Sequence, residues 1–130
     1  DFIGSVNLFE DRVIKDSPNK LVIKSPDAGI NIHVPHGVSC SPNQLLWFAL
    51  RPEKFEISVA KPKNVTNLLK GTVEDIAYLG GQSVYLVRLE TGRLVRTVRA
   101  NRDRGAEAPI TWQQDVYLTW ARSAGVVLTS

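Results

Sequence analysis

The stretch LWFALRPEK at residues 46–54 joins an apolar run to an arginine and a proline, and a related pattern follows later in the chain. Without gaps, QLLWFALR at residues 44–51 aligns with DVYLTWAR at residues 115–122, an offset of 71 residues. This spacing predicts a duplicated β unit and equates Arg51 with Arg122. The same offset places Phe55, Ile57 and Ser58 against Val126, Leu128 and Thr129.

The composition is that of an ordinary globular domain. The chain has 130 residues, of which 43% are hydrophobic and 22% charged, and its net charge is +3. No apolar run approaches the roughly 18 residues that a membrane-spanning helix needs. The single cysteine, Cys40, rules out an internal disulfide and favours a reducing compartment. We therefore expect a cytosolic protein with any membrane role being peripheral.

Short runs of β-branched and aromatic residues recur between turn-forming residues, and helical periodicity is almost absent. Ten short strands predict an all-β barrel or sandwich with little or no helix. The Thr91-Gly92 pair marks the clearest hairpin. The predicted strands are residues 6–15, 20–25, 30–34, 44–51, 55–59, 68–78, 83–90, 93–100, 115–121 and 126–129.

A polar, proline-containing break at residues 60–67 separates the two repeats. We expect a first unit over residues 1–60, completed by the C-terminal segment 115–130, and a second unit over residues 66–114. The chain opens at Asp1 without an initiator methionine, which indicates a piece of a longer polypeptide.

The predicted strand at 44–51 is apolar on both faces, and so both faces need cover. One face can line the interior, whereas Leu45, Trp47 and Ala49 must meet either the rest of this chain or another subunit. Both alternatives stay open at this level. After the strand, Pro52 ends the ladder, and Arg51 and Glu53 are placed to form an ion pair.

Three groups of polar residues in the sequence are candidates for binding an anion, a small cation or a metal ion. Arginines dominate residues 88–104, which is typical either of a charged barrel edge or of an anionic partner such as a nucleic acid. Glu74, Asp75 and Tyr78 could hold a small cationic ligand, or they are ordinary surface residues. His33, His36 and Cys40 are too few and too poorly spaced for a zinc site, and no catalytic nucleophile with a base is evident. The six arginines are Arg88, Arg93, Arg96, Arg99, Arg102 and Arg104.

Four segments carry a family resemblance: FIGSVN at 2–7, ALRPEK at 49–54, AYLG at 77–80, and TW at 119–120 with VL at 127–128. Together they resemble the C-terminal TOBE portion of ABC importer ATPase subunits, especially those for putrescine and spermidine. The resemblance covers essentially the whole chain and implies two small oligonucleotide/oligosaccharide-binding-like (OB-like) antiparallel barrels. The residues that we expect in structural or interface roles are Trp47, Arg51, Pro52, Glu53, Tyr78, Gly80 and Trp120.

The same resemblance implies that ATP and Mg²⁺ bind in an N-terminal ATPase domain that this chain lacks. Gly80-Gly81 is followed by Gln82 and Ser83 rather than by the lysine and hydroxyl of a phosphate loop, so we interpret it as a turn. The fragment itself is expected to be neither an enzyme nor a nucleic-acid binder. Its implied partners are a second copy of the subunit, the ATPase domain and the membrane permease subunits, at the cytoplasmic side of the inner membrane. Its implied role is dimerisation and regulation, with the TOBE domain of an importer for sugar, iron or an oxyanion as the alternative.

Overall fold

The computed structural model describes residues 6–100 and 110–129, and it confirms an all-β fold. Each predicted strand is present, and none of its ends differs from the prediction by more than two residues. The single helical element in these residues is one 3-10 turn at Pro52–Lys54. The strands are β1 Asn7–Ser17, β2 Lys20–Ser25, β3 Ile30–Val34, β4 Leu45–Leu50, β5 Glu56–Ser58, β6 Leu68–Leu79, β7 Gln82–Leu89, β8 Leu94–Ala100, β9 Asp115–Thr119 and β10 Val126–Leu128.

The strands form two antiparallel five-stranded sheets with matching order. The first sheet is β10-β4-β1-β2-β3 and the second is β5-β9-β6-β7-β8. If β1 to β5 correspond to β6 to β10, each sheet takes its outermost strand from the other half of the chain. The duplicated units therefore exchange their last strands reciprocally.

This exchange corrects the expected division of the chain. The C-terminal strand β10 pairs with β4 in the first sheet, whereas β9 pairs with β5 and β6 in the second sheet. β5 also belongs to the second sheet rather than to the first unit. The chain crosses between sheets just after β4 and just after β9, and strand propensity alone does not reveal such a crossing.

The structure also corrects the repeat alignment by one residue. β4 pairs with β1 through Leu45 and Arg12, and β9 pairs with β6 through Asp115 and Thr72, which makes Leu45 equivalent to Asp115. The offset there is 70 rather than 71, so Arg51 corresponds to Ala121 and not to Arg122. Because side chains alternate between faces, a shift of one residue exchanges inside and outside. The true match pairs the buried Leu46 and Phe48 with Val116 and Leu118.

Matching irregularities in the strands of the two halves support the 70-residue offset. Both long strands shift register at the same place, after Val13 in β1 and after Val73 in β6. Each of these valines exchanges two backbone hydrogen bonds with the loop that enters β4 or β9. In those loops Asn43 and Gln113 have positive φ angles of 64° and 65°. The two halves thus keep the same bulge and the same loop geometry.

Two buried asparagines tie each half to the opposite sheet. The Asn7 amide donates to the Arg96 carbonyl at 2.9 Å and accepts from the Arg96 N–H at 2.9 Å. Asn67 makes the same pair of bonds with the backbone of His33, at 3.0 and 2.9 Å. A primary amide offers one donor and one acceptor side and so satisfies both groups of a peptide edge. One continuous apolar core lies between the sheets.

No helix in the described part of the chain is long and apolar enough to cross a membrane.

Candidate functional site

The outer side of the first sheet carries a contiguous apolar surface. Register places Val126 beside Ala49 and Leu8 in one row, and Leu128 beside Trp47 in the next. Residues directly opposite in a sheet share a face. Val126 is 56% exposed, Leu128 43% and Leu8 37%. We call the set of Leu8, Leu45, Trp47, Ala49, Val126 and Leu128 the apolar face.

The second sheet supplies an internal comparison, because equivalent positions there are mostly polar. Trp47 corresponds to Tyr117 and Leu45 to Asp115, while Ala49 corresponds to Thr119. The counterparts of Val126 and Leu128 are Glu56 and Ser58. The fold therefore does not require an apolar surface at these positions. A large apolar patch beside polar neighbours is typical of an interaction surface.

The turn after β4 forms the predicted ion pair. Arg51 Nε lies 2.9 Å from the Glu53 carboxylate, and both side chains are largely exposed. Pro52 is buried and begins the 3-10 turn, in which the Lys54 N–H donates to the Arg51 carbonyl at 3.0 Å. An exposed pair of this kind contributes only about 0–1 kcal/mol. The rigid turn, rather than the ion pair, directs the chain from one sheet into the other.

Trp120 takes a structural position. It is 6% exposed, and its ring packs at 5.6 Å from Phe55 in an edge-to-face arrangement and at 6.0 Å from Phe48. Trp47 lies on the apolar face instead. The two tryptophans that the 71-residue alignment placed almost in register therefore lie on opposite sides of their sheets.

The candidate ligand residues on β6 do not converge. Glu74 forms a 2.6 Å ion pair with Arg88, and its carbonyl accepts from Trp112 Nε1 at 2.7 Å. Asp75 accepts its neighbour's N–H at 2.9 Å. Tyr78 is 68% exposed near the hairpin tip, about 13 Å along the strand from Glu74. Gly80 forms the tip with φ of 61°, where glycine is favoured.

Part of the predicted arginine ribbon is used within the fold. Arg88 pairs with Glu74, and Arg93 pairs with Asp27 at 2.9 Å. The Arg93 guanidinium also lies 4.6 Å from the centre of the Phe9 ring and donates to the Leu8 carbonyl. Arg93 thus joins the β7–β8 turn to the first sheet. Arg102 and Arg104 lie outside the described residues.

One buried acid was not singled out in the sequence. Asp11 is 1% exposed, and neither carboxylate oxygen has a hydrogen-bond partner among the described residues. Burial raises the pKa of Asp11 to about 7, and the charges of Asp27 and Glu10 act in the same direction. The Ser25 hydroxyl, which lies near Asp11 but outside hydrogen-bond geometry, and the charge of Arg93 lower the pKa by less than burial raises it. Its equivalent in the second half is Gly71, so only the alternation of β1 could have indicated this burial.

The metal candidates are also separate. His33 lies on β3, His36 Nδ1 is 3.2 Å from the Gly37 carbonyl, and the Cys40 N–H donates to Asp16 at 2.7 Å. Across residues 6–100 and 110–129, no three potential ligands form a metal-binding group.

Comparisons with known proteins agree with this architecture. The chain is 38% identical over 129 residues to the putrescine transport ATP-binding protein PotG of Escherichia coli, covering 99% of the chain and 34% of that protein. It is 30% identical to the spermidine/putrescine import ATP-binding protein PotA of Treponema pallidum, covering 98% of the chain and 36% of that protein. The chain thus spans about a third of the length of these curated relatives.

A crystal structure of the cytoplasmic molybdate-binding protein ModG superposes with a TM-score of 0.81 at 11% identity, covering 95% of this chain and 96% of that one. At this identity the likeness shows a shared OB-like fold. The profile of the TOBE domain family matches residues 48–128. These matches, together with two sheets that exchange their outermost strands, show that the chain belongs to the TOBE domain family and is related to the ATP-binding subunits of polyamine ABC importers.

Proposed function

We propose that this chain is the dimerisation and regulatory module of the ATP-binding subunit of a polyamine importer. The relatives' names support a putrescine or spermidine substrate, since the two relatives just described carry them and match the chain nearly end to end. ATP and Mg²⁺ would bind in the additional two thirds of the relatives' length. The full subunit would work at the cytoplasmic side of the inner membrane with permease partners.

One observation carries the dimerisation part of this proposal. The apolar face is exposed or half-buried on the first sheet, whereas the equivalent positions of the second sheet are mostly polar. Its occupant is a second copy of the subunit. Burying such a face removes apolar surface from water, which stabilises association by about 25 cal/mol per Å². The six side chains of the face are fewer than the roughly 20–30 residues per partner of a stable interface, which bury about 800 Å² on each side. The face therefore supplements contacts made by the ATPase domains.

The test uses the full-length ATP-binding subunit and a matched pair of variants. Trp47→Glu places a charge at the centre of the apolar face, and we expect it to weaken ATP-dependent dimerisation and reduce uptake of labelled putrescine. Tyr117→Glu changes the equivalent position on the second sheet and serves as the control. Sedimentation measures dimerisation, and nucleotide binding checks that the ATPase domain is intact.

Equal effects of the two substitutions would refute the assigned surface. Normal dimerisation and transport in the Trp47→Glu subunit would refute the dimerisation role. The substrate is tested separately by competition of unlabelled putrescine, spermidine and maltose for uptake, and inhibition by maltose alone would contradict the polyamine assignment.

A further inference from the structure

A cavity lies where the two halves of the chain meet, and we call it the junction groove. Its volume is about 410 Å³, within the range of roughly 300–1,000 Å³ that is typical of small-ligand pockets. The β2–β3 turn, the start of β6, the β7–β8 turn and β9 contribute to its walls. The wall residues that bear on its chemistry are Ile30, Lys61, Leu68, Leu69, Lys70 and Glu90.

The other half of the chain has an equivalent place, which the Arg93 side chain fills. The Arg93 guanidinium pairs with Asp27 at 2.9 Å and donates to the Leu8 carbonyl. It also lies 4.6 Å from the centre of the Phe9 ring. A guanidinium at this place therefore meets a carboxylate, a carbonyl oxygen and an apolar wall.

The carbonyl and the apolar wall recur in the junction groove. Strand register makes Leu68 and Leu69 of β6 equivalent to Leu8 and Phe9 of β1. Leu69 is buried and Leu68 is half-buried, and both line the groove. The Leu68 carbonyl is thus the counterpart of the carbonyl that accepts from Arg93.

The carboxylate recurs as well, because the two turns are alike. Each turn ends on a glycine of positive φ, which is 78° at Gly29 and 94° at Gly92. Each carries an acid two residues earlier, Asp27 in the first and Glu90 in the second. Glu90 lines the groove and forms no ion pair with a residue that the structure describes. Its carboxylate can therefore accept a hydrogen bond from a ligand.

The guanidinium is the part that differs between the two places. The pairing of β3 with β2 and of β8 with β7 makes Ile30 the counterpart of Arg93. Ile30 is half-buried and lines the groove, but its side chain is short and uncharged. The groove therefore keeps the acceptors of a guanidinium site without a guanidinium from this position.

Two lysines define the rest of the ligand. Lys61 comes from the polar break and Lys70 from β6, where β1 has Glu10. Neither lysine forms an ion pair within residues 6–100 and 110–129. Two ammonium groups repel a purely cationic ligand and attract a carboxylate. The ligand should therefore carry a negative group in addition to its guanidinium.

We propose that the junction groove binds a small guanidino acid, with Glu90 and the Leu68 carbonyl accepting from its guanidinium and with Lys61 and Lys70 binding its carboxylate. A planar guanidinium presents several N–H donors at once and so suits a carboxylate and a carbonyl together. The groove shares no residue with the apolar face, and its ligand does not depend on the transport role.

Titration of the isotope-labelled chain with free arginine, followed by amide magnetic resonance at constant ionic strength, tests the site. We expect saturable shifts at Ile30, Leu68 and Thr91, and none at Gly81 in the β6–β7 turn. Citrulline, in which a neutral urea group replaces the guanidinium, should not bind. Agmatine, which lacks the carboxylate, should bind about fivefold or more weakly, because the lysines then only repel it.

Variants establish which groups bind. Glu90→Gln should weaken arginine binding by about fivefold or more, because a charge-assisted contact to the guanidinium is lost. Glu90 is exposed, so cooperative unfolding should persist in this variant. Ile30→Arg places a guanidinium at the counterpart of Arg93 and should block binding. Asn31→Arg adds the same charge at an exposed position of β3 and should leave binding unchanged.

Four results would each overturn the proposal. They are the absence of saturable shifts at the groove, equal binding of citrulline, equal binding of agmatine, and unchanged arginine binding in the Glu90→Gln chain.

Discussion

At the scale of single residues, the polar groups buried between the sheets differ sharply in how they are satisfied. Asn7 and Asn67 each complete the backbone of a strand in the opposite sheet. Asp11 lies equally deep without a hydrogen-bond partner among the described residues. Buried amides that are fully bonded stabilise the fold, whereas an unpaired carboxylate destabilises it when ionised.

Asp11→Asn should raise stability at neutral and alkaline pH. In the unfolded chain the carboxyl ionises near pH 3.8, but in the folded chain its pKa is about 7. Ionisation thus favours the unfolded state between these values, and stability falls as pH rises from about 4 to about 7. The loss reaches about 4 kcal/mol above pH 7, since each unit of pKa difference corresponds to about 1.4 kcal/mol.

Thermal unfolding of Asp11→Asn and the parent from pH 4 to 8 measures this effect. The parent should lose melting temperature relative to the variant as pH rises. Glu56→Gln removes an exposed carboxylate and should follow the parent. A constant difference between Asp11→Asn and the parent across this range would contradict the raised pKa.

Asn67→Ala should destabilise the chain by roughly 2–4 kcal/mol, since it leaves both backbone groups of His33 without their partner. Urea unfolding provides the measurement. Asn31→Ala, an exposed change on the same β3 strand, should stay within about 0.5 kcal/mol of the parent. Equal losses in the two variants would show that the bonds of Asn67 contribute nothing specific.

At the scale of elements, the two bends that exchange strands are built differently. The first contains Pro52 and ends at Phe55, which packs on Trp120. The second has Gly125 at the position equivalent to Phe55, and there the Phe48 ring occupies the space of a side chain. The equivalent bends therefore use a phenylalanine in one half and a glycine in the other.

Gly125→Ala should be destabilising by about 1–3 kcal/mol, because its added Cβ would overlap the Phe48 ring and the core must shift. Chemical denaturation measures the loss. Gly81→Ala, where no atom of residues 6–100 or 110–129 lies within 4 Å of an added Cβ, is the matched control and should be nearly neutral. An unaffected Gly125→Ala chain would mean that Phe48 moves aside without cost.

At the scale of the whole molecule, the reciprocal exchange makes each sheet depend on both halves. β10 completes the first sheet and β5 the second, and one core joins them. The apolar face itself combines β10 with β1 and β4 and so exists only in the folded chain.

A chain divided in the polar break should therefore fold only when its halves are combined. We expect residues 1–62 and residues 63–130 each to lack cooperative unfolding, since each loses the outermost strand of its sheet. Mixing them should restore the spectrum of the intact chain, as followed by circular dichroism and amide spectra. Cooperative folding of either fragment alone would contradict the interdependence of the sheets.

Much of the fold could be predicted because strand and turn signals are local. Alternating apolar residues and turn formers gave ten strands with nearly correct ends, and the segment around Arg51 and Pro52 indicated the family. The 71-residue repeat was wrong by one residue because it aligned Arg51 with Arg122, whereas the offset is 70 both between β4 and β9 and between β5 and β10. The offset is 60 residues between β1 and β6 but 70 between β4 and β9.

Sequence by itself thus determined the all-β class, the strand positions, the duplication and the kinship. Only the tertiary structure decided which strands pair, which side of β4 faces outward, that Asp11 is buried without a hydrogen-bond partner among the described residues, and that Ile30, Leu68 and Glu90 line one cavity. The physical reason is the sequence distance over which each feature is set. Alternation and turns depend on neighbouring residues, whereas strand pairing and the convergence of side chains depend on segments separated by dozens of residues. A single inserted residue shifts the register of such a pair and moves its side chains to the opposite face.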